Sequence, residues 1–82
     1  MVIVMNNNEF DLYEAIAANI KKYRKSANIT QAELSERVGV SHEFIRRIES
    51  KKGTKTFSVD TLYKISLALD ISISKLFEFD NK

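Results

Sequence analysis

Five α-helices packed around one core is the fold this sequence predicts, and three observations carry it. Apolar residues recur at three- and four-residue spacing along most of the chain. No proline interrupts those runs. Residues that cap helices (Asp11, Thr30, Ser41, Ser58 and Ser74) stand where the runs begin. Strand-like alternation is confined to Ile71–Ser74, and no internal repeat is present.

The elements follow in order. The Asn6–Asn8 run reads as a flexible break, after which a first helix is expected over residues 11–26. Asp11 serves it as a cap or first-turn acid, and Leu12, Ile16, Ile20 and Tyr23 share one face. Lys21, Lys22 and Lys25 decorate the outer side, and Asn28 ends the helix. A second helix is expected over 31–38, where Thr30 and Glu33 match a capping box and Leu34 and Val38 form the apolar face. Gly39 falls where the chain must turn sharply, and glycine alone takes a left-handed conformation without steric cost. Ser41 caps a third helix over 42–50, with Phe44, Ile45 and Ile48 facing inward. A basic linker spans 51–57. Ser58 then caps a fourth helix over 59–69 with Leu62, Ile65 and Leu69 inward, and Ser74 caps a last turn through Leu76 and Phe77.

The third helix is the informative one. At about 100° per residue, His42, Glu43, Arg46 and Arg47 occupy the arc opposite its apolar face. A short helix packed by one side and displaying two arginines beside a cap suits a DNA major groove. A guanidinium can grip guanine O6 and N7 together, which makes Arg46 and Arg47 candidate base readers, with phosphate contact as the alternative for either. Glu43 can accept from cytosine N4, or simply be an acid favoured at a helix start.

Charge distribution points the same way. The net charge is only +2. By segment, residues 1–20 carry −3, residues 21–55 carry +6 from ten bases and four acids, and residues 56–82 carry −1. The positive field therefore sits on the paired short helices and their flanks, where phosphates would need neutralising. Lys51, Lys52 and Lys55, with Thr54 and Thr56, make a loop suited to tracking a phosphate backbone, a contact that positions without reading sequence.

These features resemble the helix-turn-helix of the phage repressor and Cro family, the Xre-type regulators. The likeness rests on Gln31, the small Ser35, the turn residue Gly39, and the apolar Val40, Ile45 and Ile48. It extends from about Ile16 to Phe77 and takes in Arg24, Glu49 and the run Leu-Ala-Leu-Asp-Ile-Ser-Ile-Ser-Lys-Leu-Phe at 67–77. Two departures stand out. Ser35 replaces the commoner Ala, and the linker after Glu49 is longer than usual and lacks a proline. The resemblance implies a lambda-repressor-like domain with its helix-turn-helix at the second and third helices. It places His42 at the first base-facing position and gives Gln31 a phosphate to clamp, reinforced by helix N-terminal amides. It also implies a structural ion pair between Arg24 and Glu49.

Other classes fit poorly. Eighty-two residues suit one small domain, and 44% hydrophobic content suffices for a helical core that dimerisation could supplement. With no cysteine there is neither a disulfide nor a thiolate centre. One histidine, no glycine-rich phosphate loop and no spaced carboxylates argue against an enzyme, a metal or a cofactor. Met1–Met5 is too short for a signal peptide or membrane span, so the cytoplasm is the expected location.

The domain reading is an arm or flexible start at 1–10, a DNA-binding domain at 11–79 and a tail at 80–82. Val2–Val4 is open between a disordered start, an arm on a dimer mate and an added strand. The expected activity is that of a transcriptional repressor, binding a palindromic double-stranded operator as a homodimer. Ile73, Leu76, Phe77 and Phe79 are the expected dimer surface. The alternative from another class is a protein-interaction module, an antitoxin or adaptor using the same fold.

Overall fold

The structure, a computed structural model, describes residues 11–50 and 56–79. Four α-helices, α1 (Leu12–Ser26), α2 (Gln31–Val38), α3 (His42–Glu49) and α4 (Val59–Ala68), are followed by a 3-10 turn at Ile73–Phe77. The expected fifth α-helix is thus a 3-10 turn. With five residues the segment closes tighter i→i+3 bonds, Lys75 N–H to the Ser72 carbonyl at 2.9 Å among them. Its cap is Ser72, not Ser74: the Ser72 hydroxyl accepts from the Ser74 N–H at 3.2 Å. No strand occurs among the described residues, including Ile71–Ser74. None of their helices is long and apolar enough to cross a membrane.

Each helix starts on a side chain that replaces a missing intrahelical partner. Asp11 accepts from the Glu14 N–H at 3.2 Å, Ser41 from Phe44 at 3.0 Å and Ser58 from Thr61 at 3.1 Å. Thr30 closes the full reciprocal box, its hydroxyl accepting from the Glu33 N–H at 3.0 Å while its own N–H donates to Glu33 Oε1 at 2.7 Å. The ends are equally specific. Asn28 and Asp70 take φ of +61° and +59°, a region where short polar side chains are tolerated.

The core gathers one stripe from every element. Ile16, Ala17 and Ile20 of α1 meet Leu34 of α2, Ile45 and Ile48 of α3, and Leu62 and Ile65 of α4. Leu76 closes the stack from the 3-10 turn with no exposed surface at all. Ser35 lies among these residues, its hydroxyl donating to the Ala32 carbonyl at 2.7 Å, so its polarity is satisfied within its own helix. The C-terminal segment is pinned by Asn19 on α1, whose Nδ2 donates to the carbonyls of Leu76 at 2.9 Å and Glu78 at 3.0 Å.

Candidate nucleic-acid interface

Between α2 and α3 the chain reverses over three residues. Gly39 sits at φ +88°, and its N–H and that of Val40 both reach the Ser35 carbonyl, at 2.8 and 3.0 Å. The left-handed glycine terminates α2 and releases Ser41 in extended geometry to cap α3. Orientation of α3 therefore begins in the turn.

It is completed from below. Arg24 of α1 grips the last residue of α3: Nε donates to Glu49 Oε2 at 2.7 Å and Nη2 to Oε1 at 2.8 Å. Side-chain exposure is 9% for the arginine and 1% for the glutamate, so this pair is essentially sealed from water. Nη1 of Arg24 donates to the Ile29 carbonyl at 2.8 Å, and Gln31 Nε2 donates to Glu49 Oε1 at 3.0 Å. One carboxylate thereby ties α3 to both α1 and α2. Its hydrogen bonds and charge raise the Arg24 pKa above the usual guanidinium value, outweighing the opposite effect of burial.

The outer arc of α3 is fully available. His42, Glu43, Arg46 and Arg47 are all exposed. Arg46 Nη2 donates to the Glu43 carboxylate one turn away, and that bond, then the Arg46 charge, holds the Glu43 pKa below the ordinary carboxylate value. The Arg47 guanidinium lies 6.0 Å from the Phe44 ring centroid, within cation–π range. The two arginines are thus steered by different neighbours, Arg46 by a carboxylate and Arg47 by an aromatic ring.

Beside this arc an open depression of about 450 Å³ is lined by Lys25, Thr30, Gln31, Ala32 and His42, among others. It lies at the start of α2, where backbone N–H groups lack intrahelical partners and the helix dipole is positive. Arg24 is among its lining residues, so the depression borders the ion pair. Gln31 stands at its edge with one amide hydrogen committed to Glu49. Lys51, Lys52, Thr54 and Lys55 lie outside the described residues, as do Val2–Val4 and the tail.

One residue of the expected dimer surface is interior. Leu76 belongs to the interior of its own domain and has no surface left to bury against a second copy. Ile73 and Phe79 are partly buried against the core, and Phe77, 41% exposed, lies with its ring centroid 6.4 Å from that of Phe79. Two features were not anticipated from the sequence. Gln31 joining Glu49 and Asn19 gripping the C-terminal carbonyls depend on partners 18 and 57 residues away, which no local pattern reports.

Similarity to known proteins covers the same region. Residues 20–76 match the helix-turn-helix family. The chain is 35% identical over 66 residues to the control protein C.SmaI of Serratia marcescens, covering 80% of this chain and 76% of that one. A crystal structure of the biofilm master regulator SinR in complex with DNA superposes with a TM-score of 0.68 at 35% identity, covering 77% of this chain and 98% of that one. This chain spans only 56% of the whole Bacillus subtilis SinR. The restriction-modification controller C.AhdI of Aeromonas hydrophila shares the fold, with a TM-score of 0.72 at 22% identity over 79% of this chain and 96% of that one. A turn built on Gly39, a buttressed α3 and a match across most of the domain lead to one assignment: the chain belongs to the phage repressor and Cro-like helix-turn-helix family of transcriptional regulators.

Proposed function

We propose that this protein is a sequence-specific double-stranded DNA-binding repressor that acts in the cytoplasm as a homodimer on a palindromic operator. The carrying observation is the α3 arc: four exposed hydrogen-bonding side chains on a helix whose other side is buried and whose end is clamped by Arg24. In this reading α3 enters the major groove and His42, Glu43, Arg46 and Arg47 face the base edges. One arginine grips a guanine and the other a phosphate. Gln31 and the depression at the start of α2 receive a backbone phosphate, and Lys51, Lys52, Thr54 and Lys55 extend the track.

The relatives named above support it, since one was solved on DNA and others are named as control or regulatory proteins. Repression follows if the occupied operator overlaps a promoter. With two recognition helices in successive major grooves, half-sites would lie about 34 Å apart or a multiple of that.

The test is selection of bound duplexes from a random pool, followed by affinity measurement across a salt series. If five to eight phosphates are neutralised per dimer, log affinity falls against log salt with a slope of about −4.5 to −7. Replacing Lys51 and Lys52 with Ala should flatten that slope for every sequence alike. A slope near zero with no enriched sequence would leave a protein-interaction module instead.

A further inference from the structure

The residue of α3 that points furthest from the core is an acid. At about 100° per residue, Glu43 stands about 170° from the mean direction of Ile45 and Ile48, with Arg46 and Arg47 at about 130° from it on opposite sides. A carboxylate that leads a basic helix towards phosphates is repelled unless something engages it. Here Arg46 does so: its Nη2 donates to Oε1 of Glu43, three residues back along the helix. The Arg46 side chain is thereby drawn across the crest of the arc, towards where base edges would lie. Arg47 is turned the other way, its guanidinium 6.0 Å from the ring centroid of Phe44, which is partly buried against the core. The side chains of Glu43 and Arg46 are 63% and 61% exposed. Water screens so open a pair, and it adds little to the stability of the fold. Its effect lies in what α3 meets.

We propose that Glu43 and Arg46 read the operator as one donor–acceptor unit, Arg46 gripping a guanine while Glu43 accepts from a cytosine amino group. Glu43 thereby sets specificity, by penalising every surface that offers acceptors alone. The proposal rests on the DNA-binding reading above and decides between the two arginines. The bond between Arg46 and Glu43 takes one carboxylate oxygen, leaving Oε2 as an acceptor and most of the guanidinium N–H groups as donors. Guanine O6 and N7 accept and cytosine N4 donates, so a G·C edge satisfies both members together. A phosphate backbone only accepts. Arg46 can turn to a phosphate only by leaving Glu43 unpaired in a negative field, so the acid discriminates against non-specific DNA. Arg47 lies against an aromatic ring instead of a carboxylate, so a phosphate can take it without stranding an acid.

The experiment uses the full chain, the duplexes it enriches from a random pool, and a scrambled duplex of the same length. Glu43→Gln keeps the side chain's size and removes its charge at an exposed position, so its circular dichroism should match the parent's. It should bind the scrambled duplex more tightly and the enriched duplex more weakly, cutting the specific-to-scrambled ratio by about tenfold or more. Glu36→Gln makes the same charge change at an exposed position of α2, off the arc. It should move both affinities alike and leave the ratio unchanged. In an Arg46→Ala background Glu43→Gln should change the ratio far less, whereas in an Arg47→Ala background it should keep its full effect. Selection repeated with Glu43→Gln should lose a cytosine preference that the parent shows. Three results would each overturn the proposal and leave the DNA-binding reading standing: a parent selection with no preferred guanine and cytosine, a ratio that Glu43→Gln leaves where Glu36→Gln leaves it, or an effect of equal size with and without Arg46. A parent that enriches no sequence and shows no salt-dependent affinity overturns that reading, and the proposal falls with it.

Discussion

Arg24 and Glu49, 25 residues apart in sequence, form a two-point ion pair at 2.7 and 2.8 Å that joins α1 to the end of α3. Its carboxylate is buried, its guanidinium nearly so, and the pair is shared with Gln31. Removing one member of a sealed pair leaves an uncompensated charge, which costs more than the pair itself contributes. Glu49→Ala should therefore destabilise the domain by about 3–5 kcal/mol, seen as a fall in Tm of more than about 10 °C. Glu49→Gln should fall between that variant and the parent, because it retains one acceptor but no charge. An unchanged melting curve for Glu49→Ala would refute the buttressing role.

Gly39 offers a cleaner test of backbone cost. Its φ is +88°, and a Cβ added there would meet nothing within 4 Å. Packing is thus irrelevant to a substitution, and the penalty is conformational alone. Gly39→Ala should cost about 1–2 kcal/mol and Gly39→Asn less, because Asn visits the left-handed region more readily. Chemical denaturation of the three proteins compares them directly. A neutral Gly39→Ala would mean that the turn relaxes to negative φ.

Reading and holding should separate on α3. Arg46→Ala and Arg47→Ala alter exposed side chains, so both should melt like the parent. The arginine that reads a base should lose about 1–3 kcal/mol on the selected operator and relax preference at one base pair. The one on a phosphate should lose affinity equally on operator and scrambled duplexes. If neither changes the specific-to-scrambled ratio, α3 is not the reading helix.

The Glu43 carboxyl should titrate below the ordinary carboxylate value because Arg46 donates to it. A lowered folded-state pKa stabilises at pH above the unfolded value, and that contribution is lost as pH falls through the lowered one. The pair is fully exposed, so its effect on stability is small. The titration itself is the measurement: side-chain carboxyl chemical shifts should show a depressed midpoint in the parent and a higher one in Arg46→Ala, where only the weaker pull of Arg47 and His42 remains.

What local chemistry specifies was legible in the sequence. Thr30 with Glu33, Ser41 and Ser58 announce helix starts because each capping bond closes within three residues. Gly39 marks the turn through its own freedom of φ, and the arc of His42, Glu43, Arg46 and Arg47 follows from helical periodicity once Ile45 and Ile48 are assigned inward. The Val59–Tyr63–Leu67 row was equally present at helical spacing, but a row of apolar residues does not say whether its own domain covers it.

That decision belongs to the tertiary structure. Leu76 and Phe77 are neighbours of similar hydrophobicity, yet the first is wholly buried and the second 41% exposed. Which of them faces inward depends on how the 3-10 turn docks on α1, where Asn19 holds the Leu76 carbonyl across 57 residues. Among the described residues the most exposed large apolar side chains are consequently Val59, Leu67 and Tyr63 of α4, with Phe77 alone exposed among the apolar residues of the C-terminal turn. Caps, turns and periodicity are set by bonds a few residues long and are written locally. Burial and long-range hydrogen bonds are set by the mutual packing of whole helices, and no short stretch of this chain contains both partners.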